Sequence, residues 1–119
     1  MNTVKVKICG LTRSEDVVAA AASGADALGF VFAASPRRLD AATAAELVMV
    51  VPDHVLRVGL FMNQPAADIA AILDRVPLDL LQFHGQEDNR FCAGFGLPFL
   101  KAISMLDEEA ASALSAFPD

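Results

Sequence analysis

Residues 7–12 read "KICGLT": an apolar run that ends on a thiol, with a glycine at once behind it. A cysteine there is either a small packing residue or a reagent, working as base or nucleophile. Side chains alternate along a strand, so Cys9 shares one face with Lys7 and Lys5. Lys7 stands two residues, roughly 7 Å, before the thiol, where its positive charge favours a thiolate. Farther on, "ASPRRLD" carries Arg37 and Arg38. They read as a solvated basic pair or as a clamp on a carboxylate, which a guanidinium grips bidentately. "LLQFHG" sets Gln82 and His84 on one face of a strand end, just before Gly85. Asn63 ends another strand and either starts the next helix or faces a ligand. His54 precedes that strand, at the opposite end, and Cys92 sits among Phe91, Ala93 and Phe95; both read as structural. No set of His, Cys and carboxylate residues has metal-ligand spacing, and neither a Walker loop nor a serine elbow is present.

These residues fall on a repeated pattern of short strand, then helix. Strands are expected over residues 4–9, 27–32, 57–62, 80–85 and 99–103. The first helix has Thr12 and Glu15 at capping-box spacing and Gly24 as its stop. The second runs from Asp40 as N-cap to just before Pro52, and the third holds Pro65 in its first turn and stops before Pro77. A short helix covers residues 86–96, and another opens near Ser104 and Asp107. Five such units in succession imply a parallel sheet. Strand starts recur about every 20–30 residues, as in a (β/α)8 barrel. A doubly wound sheet competes, but no G-x-G-x-x-G follows any strand.

Alternation sets Lys5, Lys7 and Cys9 against Val4, Val6 and Ile8, and Gln82 and His84 against Leu81 and Phe83. It sets Arg57, Gly59, Phe61 and Asn63 against Val58, Leu60 and Met62, while Lys101 stands apart on the fifth strand. A barrel gathers such strand ends at one mouth. A complete barrel takes roughly 200 residues or more. The 119 residues are therefore expected to cover its first five βα units, as one domain that stops before a sixth strand. Open edges on the first and fifth strands would invite association.

Composition narrows the class of function. Apolar residues make up 55% and charged residues 20%, which excludes a disordered chain. A net charge of −6 argues against nucleic-acid or anionic-membrane partners. No apolar run is long enough to span a bilayer, and no basic cluster with an apolar stretch behind it opens the chain. Two distant cysteines read as free thiols in a cytoplasmic protein.

"VKICGLT", "SGADALGFVF", "SPRRL", "RVGLFMN" and "LLQFHGQE" occur in this order and spacing. Together they resemble the phosphoribosylanthranilate isomerases of tryptophan biosynthesis over nearly the whole chain. The resemblance implies a (β/α)8 barrel that uses neither cofactor nor metal. It implies an Amadori rearrangement of N-(5′-phosphoribosyl)anthranilate to 1-(2-carboxyphenylamino)-1-deoxyribulose 5-phosphate. By the same resemblance Cys9 is the general base that removes the C2′ proton, and Arg38 holds the anthranilate carboxylate. Gln82 and His84 would line the pocket, with Lys7 in the barrel below the thiol. The family's general acid is an aspartate ending the sixth strand, and its phosphate loops follow strands seven and eight. Asp119 matches residues before that sixth strand, not the acid. The 119-residue polypeptide alone is therefore expected to be inactive, and the enzyme to be a longer chain, monomeric or homodimeric, acting on a small molecule. Two other readings stand beside it. One is another phosphate-binding barrel enzyme of the same pathway, although that family places lysine and glutamate where this chain has its thiol. The other is a non-catalytic half-barrel that assembles through its sheet edges.

Overall fold

The computed structural model describes residues 6–101. Val4 and Lys5 of the expected first strand, Ala102 and Ile103 of the fifth, the helix near Ser104 and Asp107, and Asp119 lie outside the described residues. The strands are β1 Lys7–Cys9, β2 Ala27–Val31, β3 Leu56–Phe61, β4 Leu80–Phe83 and β5 Phe99–Lys101. The helices between them are α1 Ser14–Ala22, α2 Ala41–Val48, α3 Ala66–Arg75 and α4 Asn89–Ala93. All four strand pairs are parallel, in the spatial order β1-β2-β3-β4-β5. Each helix thus returns the chain to the adjacent strand. That is the winding of a (β/α)8 barrel, without the order reversal of a doubly wound sheet.

The two faces of the sheet differ in kind. On the helix side, Leu28 and Phe30 of β2, Phe61 of β3, and Leu81 and Phe83 of β4 are buried against Val17, Leu47, Val48, Ile69 and Cys92. A ladder of rings runs across it: Phe32 stacks on Phe61 at 5.3 Å, and Phe61 meets Phe83 at 6.0 Å. Phe83 also touches Phe91, Phe95 and Phe99. The barrel side is a smaller cluster of Ala27, Val58 and Leu60, with Cys9, Val31 and Leu80 against it.

Helix ends follow local chemistry. Asp40 caps α2 by accepting the Thr43 N–H at 2.7 Å, as its position predicts. Past Val48 that helix runs out in turns, with Val51 N–H donating to Val48 C=O at 3.2 Å before Pro52 is reached. Pro65 precedes α3 as its N-cap instead of lying in the first turn. Gly24 does follow α1, at φ +102°, where a side chain would be strained. The expected capping box at Thr12 and Glu15 is absent: α1 starts after Arg13 with no side-chain cap. Arg13 instead draws the Glu15 carboxylate into an ion pair.

One expected face is reversed. Val58, Leu60 and Met62, and not Arg57, Gly59, Phe61 and Asn63, lie on the barrel side of β3. Register decides this. Leu60 pairs with Gln82, and paired residues point to the same side of a sheet. Arg57, on the other face, grips Asp79 with Nε at 3.0 Å and Nη2 at 3.2 Å. Lys101 pairs with Phe83 and so belongs to the helix side as well.

Candidate active site

The C-terminal strand ends border an open cavity of about 500 Å³. Cys9 stands in its wall with Gly10, Val31, Leu60, Met62 and His84, and residues 33–37 close one side. Three elements place the thiol there. Strand β1 ends at Cys9, and Gly10 turns the chain at φ +83° while its N–H holds the Gly29 carbonyl at 3.1 Å. Gly29, opposite Cys9 in register, leaves the space the sulfur fills. A Cβ on Gly29 would lie 2.8 Å from Cys9 Sγ and 3.0 Å from Leu60 Cδ1. The neighbouring walls, Val31, Leu60, Met62 and Pro36, are apolar and suit a flat ring.

The two arginines part company. Arg37 lines the thiol cavity and lies over Gly10, where an added Cβ would meet Arg37 Cδ at 2.7 Å and Nη1 at 3.0 Å. Arg38 lines a separate cleft of about 560 Å³ with Phe32, Asp40, Gln64 and Asp68. The turn around Ser35 sends them apart. Arg37 N–H donates to Ser35 Oγ and Arg38 N–H to the Ser35 carbonyl, both at 3.1 Å. Among the expected site residues, then, Cys9 and His84 come together directly, and Arg38 does not join them in this conformation.

Lys7 and Gln82 form the layer beneath. Lys7 Nζ donates to Gln82 Oε1, tying β1 to β4. Gln82 is buried, and it braces the floor without lining the cavity itself. His84 follows β4, its N–H bonded to the Phe61 carbonyl at 2.9 Å. Partial burial, and then the Lys7 ammonium, hold its imidazole below the usual histidine range, against an opposing pull from the Glu87 carboxylate. The ring is therefore neutral near pH 7 and can both accept and donate a hydrogen bond.

Asn63 sits at φ +56°, and its Oδ1 accepts the Gln86 N–H at 2.7 Å. His54 is exposed before β3, away from the strand ends. Cys92 is fully buried in the helix-side core, and burial pushes its thiol up. Sequence reasoning passed over Gly29, Met62 and Glu87. Met62 belongs to an apolar set that carries no functional group to mark it, and nothing local marks a glutamate after a strand as buried. Among the described residues no three of His, Cys, Asp and Glu gather as a metal site, and no helix is long and apolar enough to cross a membrane.

Relatives share this fold. A family model described as N-(5′-phosphoribosyl)anthranilate (PRA) isomerase matches residues 6–117. N-(5′-phosphoribosyl)anthranilate isomerase of Acidithiobacillus ferrooxidans is 54% identical over 104 residues, 87% of this chain and 51% of that protein. The Pseudomonas aeruginosa protein of the same name is 54% identical over 106 residues, 88% of this chain and 50% of that protein. The chain thus spans about half the length of the curated relatives it matches. The crystal structure of the Thermotoga maritima isomerase superposes with a TM-score of 0.83 at 34% identity, over 93% of this chain and 56% of that one. A phosphoribosyl anthranilate isomerase crystallised with reduced 1-(o-carboxyphenylamino)-1-deoxyribulose 5-phosphate gives the same score and identity, with 59% of it covered. With the family model covering nearly all of its length, the chain belongs to the N-(5′-phosphoribosyl)anthranilate isomerase family.

Proposed function

We propose that the protein carrying these residues converts N-(5′-phosphoribosyl)anthranilate to 1-(2-carboxyphenylamino)-1-deoxyribulose 5-phosphate, with Cys9 as general base. The observation that carries this reading is the thiol set in an apolar cavity at the C-terminal strand ends, beside His84 and an arginine. The chemistry asks for one proton to leave C2′ of a protonated imine, and the electron pair then forms the enol. Cys9 stands where a base could take that proton, a step for which a positioned base is worth about 10²–10⁴-fold. The cavity's apolar walls would take the anthranilate ring. Arg38 is kept as the proposed carboxylate clamp from the family motif, with Arg37 as its competitor from the geometry.

Lys7 and Gln82 support the site from below, and His84 lines it as a neutral polar group. The general acid and the phosphate grip have no counterpart among residues 1–119, so a polypeptide of these residues alone is expected to be inactive. The protein acts in the cytoplasm, as a monomer or homodimer, on a small molecule and not on nucleic acid. The test is Cys9→Ala in the full-length protein. Turnover should fall by about 10²-fold or more with the fold and KM retained. Near-normal turnover would return Cys9 to a packing role.

A further inference from the structure

Two polar side chains are buried among the described residues, Gln82 and Glu87, each 7% exposed. The first is accounted for by Lys7. The second has no part in the proposed chemistry, yet a buried carboxylate is costly unless it is fully bonded. Glu87 lies in the loop between β4 and α4 and reaches across to the loop after β3. Its Oε2 accepts the Asn63 N–H at 2.5 Å, and its Oε1 accepts the Gly85 N–H at 2.9 Å. Asn63 Oδ1 returns the link by accepting the Gln86 N–H at 2.7 Å. The fit is close, since a Cβ on Gly85 would run into the Asn63 side chain.

The bonded amides belong to the residues just after Met62 and His84, which line the cavity just past the ends of β3 and β4. Met62 is fixed on its other side too: its N–H donates to Gln64 Oε1 at 3.1 Å, and Gln64 Nε2 donates to the Phe32 carbonyl at 3.0 Å. The strand ends of β2, β3 and β4 are thus joined by one polar belt with Glu87 as its only charge.

We propose that Glu87 is a positioning residue: its carboxylate, shared between the Asn63 and Gly85 amides, sets where Met62 and His84 stand against the Cys9 cavity. Each oxygen takes one amide, and charge-assisted bonds of this kind are about twice as strong as neutral ones. Glutamine can replace only one of them, because its second terminal atom is a donor. Asn63 at φ +56° is the backbone cost of bringing both amides to one carboxylate, and Gly85 leaves the room that the Asn63 side chain takes.

The effect on catalysis rests on the isomerase reading, whereas the effect on His84 does not, so the experiment reads both. It starts on the wild-type full-length protein, by NMR across a pH series. The Asn63 and Gly85 amide protons should move with the midpoint of the Glu87 carboxyl carbon. If they ignore it, the bonds are absent and the proposal falls. Glu87→Gln follows, with Glu87→Asp in its place should the first not fold. In the variant the His84 ring signals should move and its titration midpoint should drop, since a carboxylate that favours the imidazolium is gone. A well-folded variant with unchanged His84 signals would refute the positioning role. With phosphoribosylanthranilate as substrate, kcat/KM should fall by about tenfold, and His84→Ala should cost little more in the Glu87→Gln background. Full multiplication of the two effects would refute the coupling to His84. A wild-type protein without turnover would count against the isomerase reading alone, the His84 result standing by itself.

Discussion

Gly29→Ala is the sharpest probe of the thiol's placement. The added methyl would sit 2.8 Å from Cys9 Sγ, 3.0 Å from Leu60 Cδ1 and 3.3 Å from Cys9 Cα. Unstrained contacts between such atoms are about 3.5–4.0 Å, so the sulfur must retreat by roughly 1 Å. Leu60 can rotate away, but the Cα belongs to a strand paired with Gly29's own and cannot. Overpacking of this kind costs about 1–3 kcal/mol of stability. Its cost to catalysis is of another order, since a misplacement of about 1 Å at a reacting group removes on the order of 10²-fold. Gly59→Ala is the matched control. Its methyl would lie 2.6 Å from Leu78 Cδ1 and 3.1 Å from a Phe61 ring carbon, on the helix side and away from the cavity. Both variants should lose stability in urea unfolding. In a product-formation assay with phosphoribosylanthranilate only Gly29→Ala should lose kcat, by about 10²-fold with little change in KM. If Gly29→Ala keeps kcat within about threefold of Gly59→Ala, the sulfur's position does not matter and the base assignment fails with it.

Arg37→Ala and Arg38→Ala should separate in steady-state kinetics. The one that holds the carboxylate should raise KM by about 10-fold or more at nearly constant kcat, a charged hydrogen bond being worth roughly 1.5–3 kcal/mol. An unchanged KM in both would mean that neither is the clamp. Phe83→Ala removes the ring that touches Phe61, Phe91, Phe95 and Phe99, and should cost about 3–5 kcal/mol in denaturant unfolding. A loss below about 1 kcal/mol would show that the ring ladder is not part of the cooperative core. Asp79 adds a pH signature. Burial works to raise its carboxyl, but the hydrogen bonds and charge of Arg57 outweigh that and hold it below the usual aspartate range. Its folded value is therefore depressed, so its contribution is present above the unfolded value of about 3.9 and lost as pH falls below it. Asp79→Asn should flatten the stability profile over that acid window, and an unaltered profile would exclude the pair as its source.

What the sequence made legible, and what it hid, divides along the range of the signal. The strand and helix alternation, the Asp40 cap, the Gly24 stop and the thiol before Gly10 are encoded within a few neighbouring residues, and each stands where it was expected. The face of β3 was not, because both of its faces are apolar enough to be buried. Only the pairing of Leu60 with Gln82, on the next strand and beyond a whole helix, selects Val58, Leu60 and Met62 for the barrel side. The placement of the two arginines was hidden for a different reason. Arg37 and Arg38 are adjacent and alike, and the two bonds they make to Ser35 send one to the thiol cavity and the other to the next cleft. Composition has no access to that turn. Glu87 is the strongest case: in "HGQED" it reads as one more solvated acid, and its partner Asn63 lies 24 residues earlier. Thr12 and Glu15 show that even a local motif can lose, here to an arginine beside it. Element order can therefore be written in local pattern, whereas the shape of a cavity is written in register and loop-to-loop bonds. A sequence motif can place a thiol at a strand end, whereas which of two neighbouring cations reaches its cavity, and which buried acid joins the loops around it, is decided by contacts between distant segments.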